Sequence, residues 1–158
     1  MYQRILVPVD GSDTSNKALT AALQLARDAG GRVRLVHVLE ELTHLTGYEQ
    51  FGGYAGDLTR IMRDSGMQIL NDAMAIAKAA GVEVDTVLFD NLGERLAEAV
   101  AEAARQWKAD LVVVGTHGRR GVGRMLLGSG AEQVIRLAPV PVLVIRSEME
   151  RESKPGAH

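Results

Sequence analysis

The stretch that most invites a chemical reading is GTHGRRGVGRMLLGSG, residues 115–130, which places six glycines and three arginines in sixteen positions without one acid. Glycine lets a chain turn sharply and present consecutive backbone N–H groups with no Cβ in the way, which is how a loop wraps polyphosphate. Arg119, Arg120 and Arg124 add positive charge that no acid within the stretch cancels. At the far end SGAE, residues 129–132, reads as a capping box opening a helix. A helix starting there aims free N–H groups and its positive dipole end at the space the loop encloses. Ser129 then has two compatible roles, capping the helix when the site is empty and meeting phosphate when it is filled. A second stretch, DGSDTS at residues 10–15, offers the Asp10 carboxylate, the expected partner of ribose hydroxyls beside a strand-end crevice.

These residues need a scaffold, and the hydrophobic pattern supplies one. RILVPVD (4–10), RVRLVHV (32–38), VEVDTVLF (82–89), DLVVVG (110–115) and VPVLVIR (140–146) are Val/Ile/Leu-rich runs bounded by Gly, Asp or Pro. The first, fourth and fifth are nearly continuous in apolar character, as parallel strands covered on both faces are. Between them lie helical spacings: Ala18, Leu19, Ala22, Leu25, Ala26 and Ala29; then Leu58, Ile61, Met62, Ile69, Leu70, Ala73, Ile76, Ala77 and Ala80. Leu96, Ala99, Val100, Ala103 and Trp107 mark a third helix, and Val134, Ile135 and Ala138 a fourth. Gly30 and Gly81 stand where the first two would end on a left-handed residue.

Strands alternating with helices predict an α/β domain, a doubly wound five-stranded parallel sheet in the order 3-2-1-4-5 with helices on both faces. In that order the winding reverses between strands 1 and 4, and both DGSDTS and the glycine-rich stretch leave the sheet beside that reversal. Pro8 strains the reading, because a proline removes a ladder donor from a central strand, so it is placed at the last rung, where pairing can stop. Pro141 opens the fifth strand, which suits an edge. Residues 39–57 form a long connection carrying Tyr48, Phe51 and Tyr54, read either as a lid or partner contact or as side chains tucked under a surface loop.

Competing motifs fail. There is no Gly-Lys pair for a Walker loop, and GVGRML and GSGAEQ both miss the third glycine of a dinucleotide fingerprint. Of the four histidines, His37 alternates along a buried strand and His44 and His158 lie in the connection and the tail, leaving His117 alone in the candidate site, with no metal-ligand spacing.

Gly115-x2-Gly118-x9-Gly128-Ser129 resembles the G-2x-G-9x-G-(S/T) signature of the nucleotide-binding, ATP-binding branch of the universal stress protein family. ILVPVDGS at the front, LVHV in strand 2, ADLVVVGTHGRRG and the closing APVPVLVIR extend the resemblance to about residue 147. It implies a Rossmann-like, adenine nucleotide alpha hydrolase-like domain over residues 1–147, followed by a polar tail over 148–158. It also implies that Pro8, Val9 and Asp10 line the adenosine side, with Asp10 near the ribose, and that Val38 offers backbone groups to the adenine edge. Gly115, His117 and Gly118 would line the ribose and phosphate region, and Gly128 and Ser129 would hold phosphate. Family members often follow the Gly-Ser with an apolar residue and then Ser or Thr, whereas here Gly130 and Ala131 follow. The hydroxyl missing at Ala131 points to a weaker hold on terminal phosphates or to a shorter nucleotide, AMP or ADP in place of ATP. The resemblance further implies a homodimer paired through the last strand, Val140 to Arg146, and an apolar edge left open is avoided on physical grounds as well.

Composition sets the remaining bounds. A chain of 158 residues suits one domain that buries roughly 70% of the surface of its unfolded form. A net charge of −2 argues against coating nucleic acid or an anionic membrane, so any anion site is local. The absence of cysteine removes disulfide and thiolate chemistry, and MYQRILVPVD is too short an apolar run for a signal peptide or a membrane span, so a cytoplasmic protein is expected. The leading expectation is a regulatory stress protein whose nucleotide occupancy changes its conformation or its choice of an unknown protein partner. No nucleophile, base and orienting group are assembled, and only Asp10 or Asp13 is available to place Mg²⁺ or Mn²⁺. Slow ATP hydrolysis or self-phosphorylation at Ser129, and a dimeric module with AMP or no nucleotide, are the alternatives.

Overall fold

The computed structural model describes residues 2–39, 55–90, 95–116 and 129–146. Within them the elements are β1 (Arg4–Pro8), α1 (Asp13–Ala29), β2 (Arg32–Val38), α2 (Ala55–Ala79), β3 (Glu83–Phe89), α3 (Leu96–Trp107), β4 (Leu111–Gly115), α4 (Ser129–Leu137) and β5 (Val142–Ile145). The five strands form one parallel sheet in the order β3-β2-β1-β4-β5, as the alternation of patterns predicts. β2 matches its apolar run, and the other four strands are shorter than theirs by a residue or more, most at β1 and β5, because the ladder stops where the chain turns away. Pro141 precedes β5, and its carbonyl accepts the Val112 N–H at 3.0 Å.

Alternation along each strand splits the core into two layers. Ile5, Val7, Val33, Leu35, Leu111 and Val113 face α1 and α2, while Leu6, Val36, Val38, Val112 and Val114 face α3 and α4. Helix α1 buries Ala18, Leu19, Ala22, Leu23 and Ala26, one continuous face. Leu23 takes the place expected of Leu25, which is only half-buried. In α2 the buried face is Leu70, Ala73 and Ala77, whereas Ile61 and Ile76 are exposed. Ile61 lies nine residues from Leu70, about half a turn out of phase at roughly 100° per residue, so the helix cannot turn both inward.

Gly30 and Gly81 end their helices with positive φ, +65° and +74°. Lys108 does the same for α3 at +56° with no glycine to mark it, its amide bonded back to the Arg105 carbonyl. At the amino ends of the strands, the guanidinium groups of Arg34 and Arg4 lie over the ring of Trp107, 4.9 Å and 5.7 Å from its centre. Arg34 is also bonded twice to Asp85 at 2.8 Å, which raises its pKa above arginine's already high value. A raised basic pKa means that this contribution is intact at all pH values below arginine's titration, so the cluster fixes the base of the sheet without responding to pH near neutrality. No helix among the described residues is long and apolar enough to cross a membrane.

Candidate functional site

The central strand stops short of its neighbours. Toward β4, β1 pairs only Ile5 with Leu111 and Leu6 with Val112, and Pro8, the last residue of the strand, has no N–H with which to continue. Toward β2 it pairs as far as Pro8 with Val36, and the Val9 N–H adds a bond of 2.8 Å to the Val36 carbonyl. The flanking strands run on. β2 stays paired with β3 to Val38 and Phe89, with Leu39 N–H to the Phe89 carbonyl at 2.9 Å. β4 stays paired with β5 to Gly115 and Ile145, with Thr116 N–H to the Ile145 carbonyl at 3.0 Å. The result is a crevice at the carboxyl ends of the strands, where the winding reverses, with Pro8 at its floor.

The turn that leaves β1 is locked by its own polar groups. Asp10 Oδ1 accepts the Ser12 N–H at 2.9 Å, the Ser15 hydroxyl accepts the Asp10 N–H at 3.1 Å, and Ser12 Oγ caps α1 by accepting the Ser15 N–H at 3.2 Å. Gly11 supplies the one positive φ, +82°, that the turn requires. This helix start is thus capped by its own side chains, with Asp13 in its first turn.

Two glycines of the sequence signature acquire packing reasons. A Cβ on Gly115 would stand 2.8 Å from Thr14 Cγ2 and 2.9 Å from the Thr14 backbone carbon, so the close passage of α1 over the end of β4 requires glycine there whether or not a ligand is bound. Among the described residues, a Cβ on Gly130 would meet only Leu96 Cδ2, at 3.2 Å, where α4 packs on α3. Helix α4 includes Ser129 as its first residue, and the Glu132 carboxylate pairs forward with Arg136 at 3.1 Å, an i,i+4 contact. Ala131 is buried with Val134 in the α3–α4 layer.

One histidine near the site was passed over in the sequence. His37 Nδ1 lies 2.7 Å from the Val9 carbonyl, and its half-buried ring packs on Gly66 of α2, where an added Cβ would be 2.8 Å from Cδ2. Alternation along β2 signalled only a buried strand position; the contact to β1 depends on register, which no spacing displays. The structure thus brings Pro8, at the floor of the crevice, together with Val9, Asp10, Val38 and Gly115 around it, with Val9 and Val38 buried. His117, Gly118 and Gly128, with Arg119, Arg120 and Arg124, lie outside the described residues. Among the described residues no group of three His, Cys, Asp or Glu side chains could hold a metal ion.

Residues 1–146 match the model of the universal stress protein family. Universal stress protein MJ0531 of Methanocaldococcus jannaschii is 32% identical over 146 residues, 92% of this chain and 83% of that protein. A universal stress protein family member from Burkholderia pseudomallei superposes with a TM-score of 0.74 at 36% identity, covering 92% of this chain and 97% of the other. A universal stress protein from Archaeoglobus fulgidus in complex with dAMP matches at TM-score 0.66 and 28% identity, with 91% and 98% covered. A universal stress protein in complex with cAMP matches at 0.64 and 28%, with 92% and 97% covered. From the strand order to the crevice and across nearly its whole length, this chain belongs to the universal stress protein family.

Proposed function

We propose that this protein binds an adenine nucleotide, ATP or its shorter relatives ADP and AMP, in the crevice above β1, and that occupancy alters its conformation or its choice of protein partner. The observation that carries the reading is the receding central strand: it leaves the ends of β2 and β4 facing each other across a gap beside the winding reversal, and the glycine signature starts from one wall of that gap. Relatives solved with dAMP and cAMP support an adenine-containing ligand. In this reading Pro8 and Val9 pack on the adenosine, Asp10 accepts from the ribose, and Val38 offers its backbone to the base. Gly115, His117, Gly118, Gly128, Ser129 and Gly130 surround the ribose and phosphates, and Ala131 contributes backbone alone. An ion such as Mg²⁺ or Mn²⁺ would arrive with the phosphates and find at most Asp10 or Asp13 as a protein ligand.

The test is to denature the purified protein, identify any nucleotide released, and measure rebinding to stripped wild type and Asp10→Asn by equilibrium dialysis. Asn keeps an oxygen for the Ser12 N–H but loses the charge, so affinity should fall about ten- to hundredfold with little change in stability. Unchanged affinity in Asp10→Asn would remove Asp10 from the site.

A second property rests on β5. This edge strand exposes Leu143, and α4, packed beside it, exposes Ile135 and Leu137. An open apolar edge is an aggregation hazard, and pairing with a second copy through Val140 to Arg146 removes it.

A further inference from the structure

We propose that His37 is a positioning residue that holds the β1–β2 ladder open by one rung, so that the backbone of Val38 remains available to a ligand; the ligand part rests on the nucleotide reading above. Along β2, every second residue turns its backbone toward β1, as the Arg32 N–H to Gln3 carbonyl bond of 2.9 Å and the Val9 N–H to Val36 carbonyl bond of 2.8 Å establish. Val38 is the next in this series. The rung that a parallel ladder would form there is Val38 N–H to the Val9 carbonyl.

That rung is not made among the described residues; the Val9 carbonyl instead lies 2.7 Å from His37 Nδ1. A carbonyl only accepts, so Nδ1 carries the proton and the ring is held in that tautomer. At the same level β2 stays paired to β3 through Leu39 N–H and the Phe89 carbonyl, so Val38 keeps strand geometry while its inner partner is taken away. Its N–H and C=O then stand side by side at the crevice edge, a donor next to an acceptor. A planar heterocycle with an acceptor beside a donor on one edge, as adenine has, is the complement. Without the imidazole, the Val9 carbonyl would be a buried acceptor in need of a donor, and the nearest in ladder geometry is the Val38 N–H itself.

The test measures amide hydrogen exchange and nucleotide binding on the full chain. In nucleotide-free wild type, the Val38 amide should exchange at least about a hundredfold faster than that of Val36, which lies in the paired interior. In His37→Phe the Val38 amide should slow toward the interior rate. Affinity should fall about tenfold, by the same factor for adenosine as for ATP, since the loss is at the base. His37→Asn, whose amide nitrogen can stand where Nδ1 stands, should keep wild-type behaviour in both measurements.

Slow exchange at Val38 in free wild type overturns the proposal, and this arm holds even if His37→Phe does not fold. A folded His37→Phe in which either exchange or affinity stays at the wild-type value also overturns it. If wild type binds no adenine nucleotide, the functional reading fails by itself, and the exchange contrast still decides whether His37 opens the ladder.

Discussion

At the scale of single residues, the glycines of residues 115–130 divide by what surrounds them. Gly115 is hemmed in by Thr14, including backbone that cannot swing away, so Gly115→Ala should destabilise by about 1–3 kcal/mol in urea unfolding. Among the described residues Gly130 meets only the end of a leucine side chain, and alanine is the better helix former by about 1 kcal/mol. Gly130→Ala should therefore be neutral or stabilising by up to that amount, and equal losses in the two variants would contradict this division. Asp10, Pro8 and Gly115 could be chosen from the sequence because acid, proline and glycine carry distinctive backbone or charge chemistry. The reason for Gly115 could not, since Thr14 is a hundred residues away in the chain and only folding brings it close. His37 was hidden for the same reason.

At the scale of elements, the crevice exists because β1 ends before the strands on either side, at Pro8, while β2 continues to Val38 and β4 to Gly115. Pro8→Val restores one N–H, allowing the β1–β4 ladder to advance into the gap. The added bond contributes about 1 kcal/mol, and the extra freedom of the unfolded chain offsets roughly 0.4–1 kcal/mol of it. Stability should thus change little while nucleotide affinity drops; calorimetric unfolding with a binding titration checks both, and undiminished affinity would mean that the gap is not set by Pro8. Strand order, helix count and the Gly30 and Gly81 stops were legible because period and punctuation are local signals. Which α2 residues face inward was not, because Ile61 and Leu70 both fit an apolar pattern until the helix phase is known. The end of α3 at Lys108 was equally silent, a lysine taking a left-handed conformation usually left to glycine.

At the scale of the whole molecule, the two edges of the sheet are treated differently. β3 carries Glu83 and Asp85, paired across to Arg32 and Arg34, which guards that edge with charge. β5 has no such guard among its four residues, and its continuous apolar run looked in sequence like a strand covered on both faces, yet Leu143 is 37% exposed. Pairing with a second copy, as proposed, would reconcile the two facts. Sedimentation should find dimer at micromolar concentration and monomer for Leu143→Arg with the fold intact; a monomeric wild type would contradict pairing through β5.

Adenine nucleotide binding in the crevice is put to the test by calorimetric titration of nucleotide-stripped protein with ATP, ADP and AMP. Saturable binding of at least one of them with Kd below about 1 mM is expected, with AMP and ADP losing little relative to ATP because no side-chain hydroxyl stands at Ala131. No heat of binding from any of the three at that concentration, in protein shown to be folded, would contradict it.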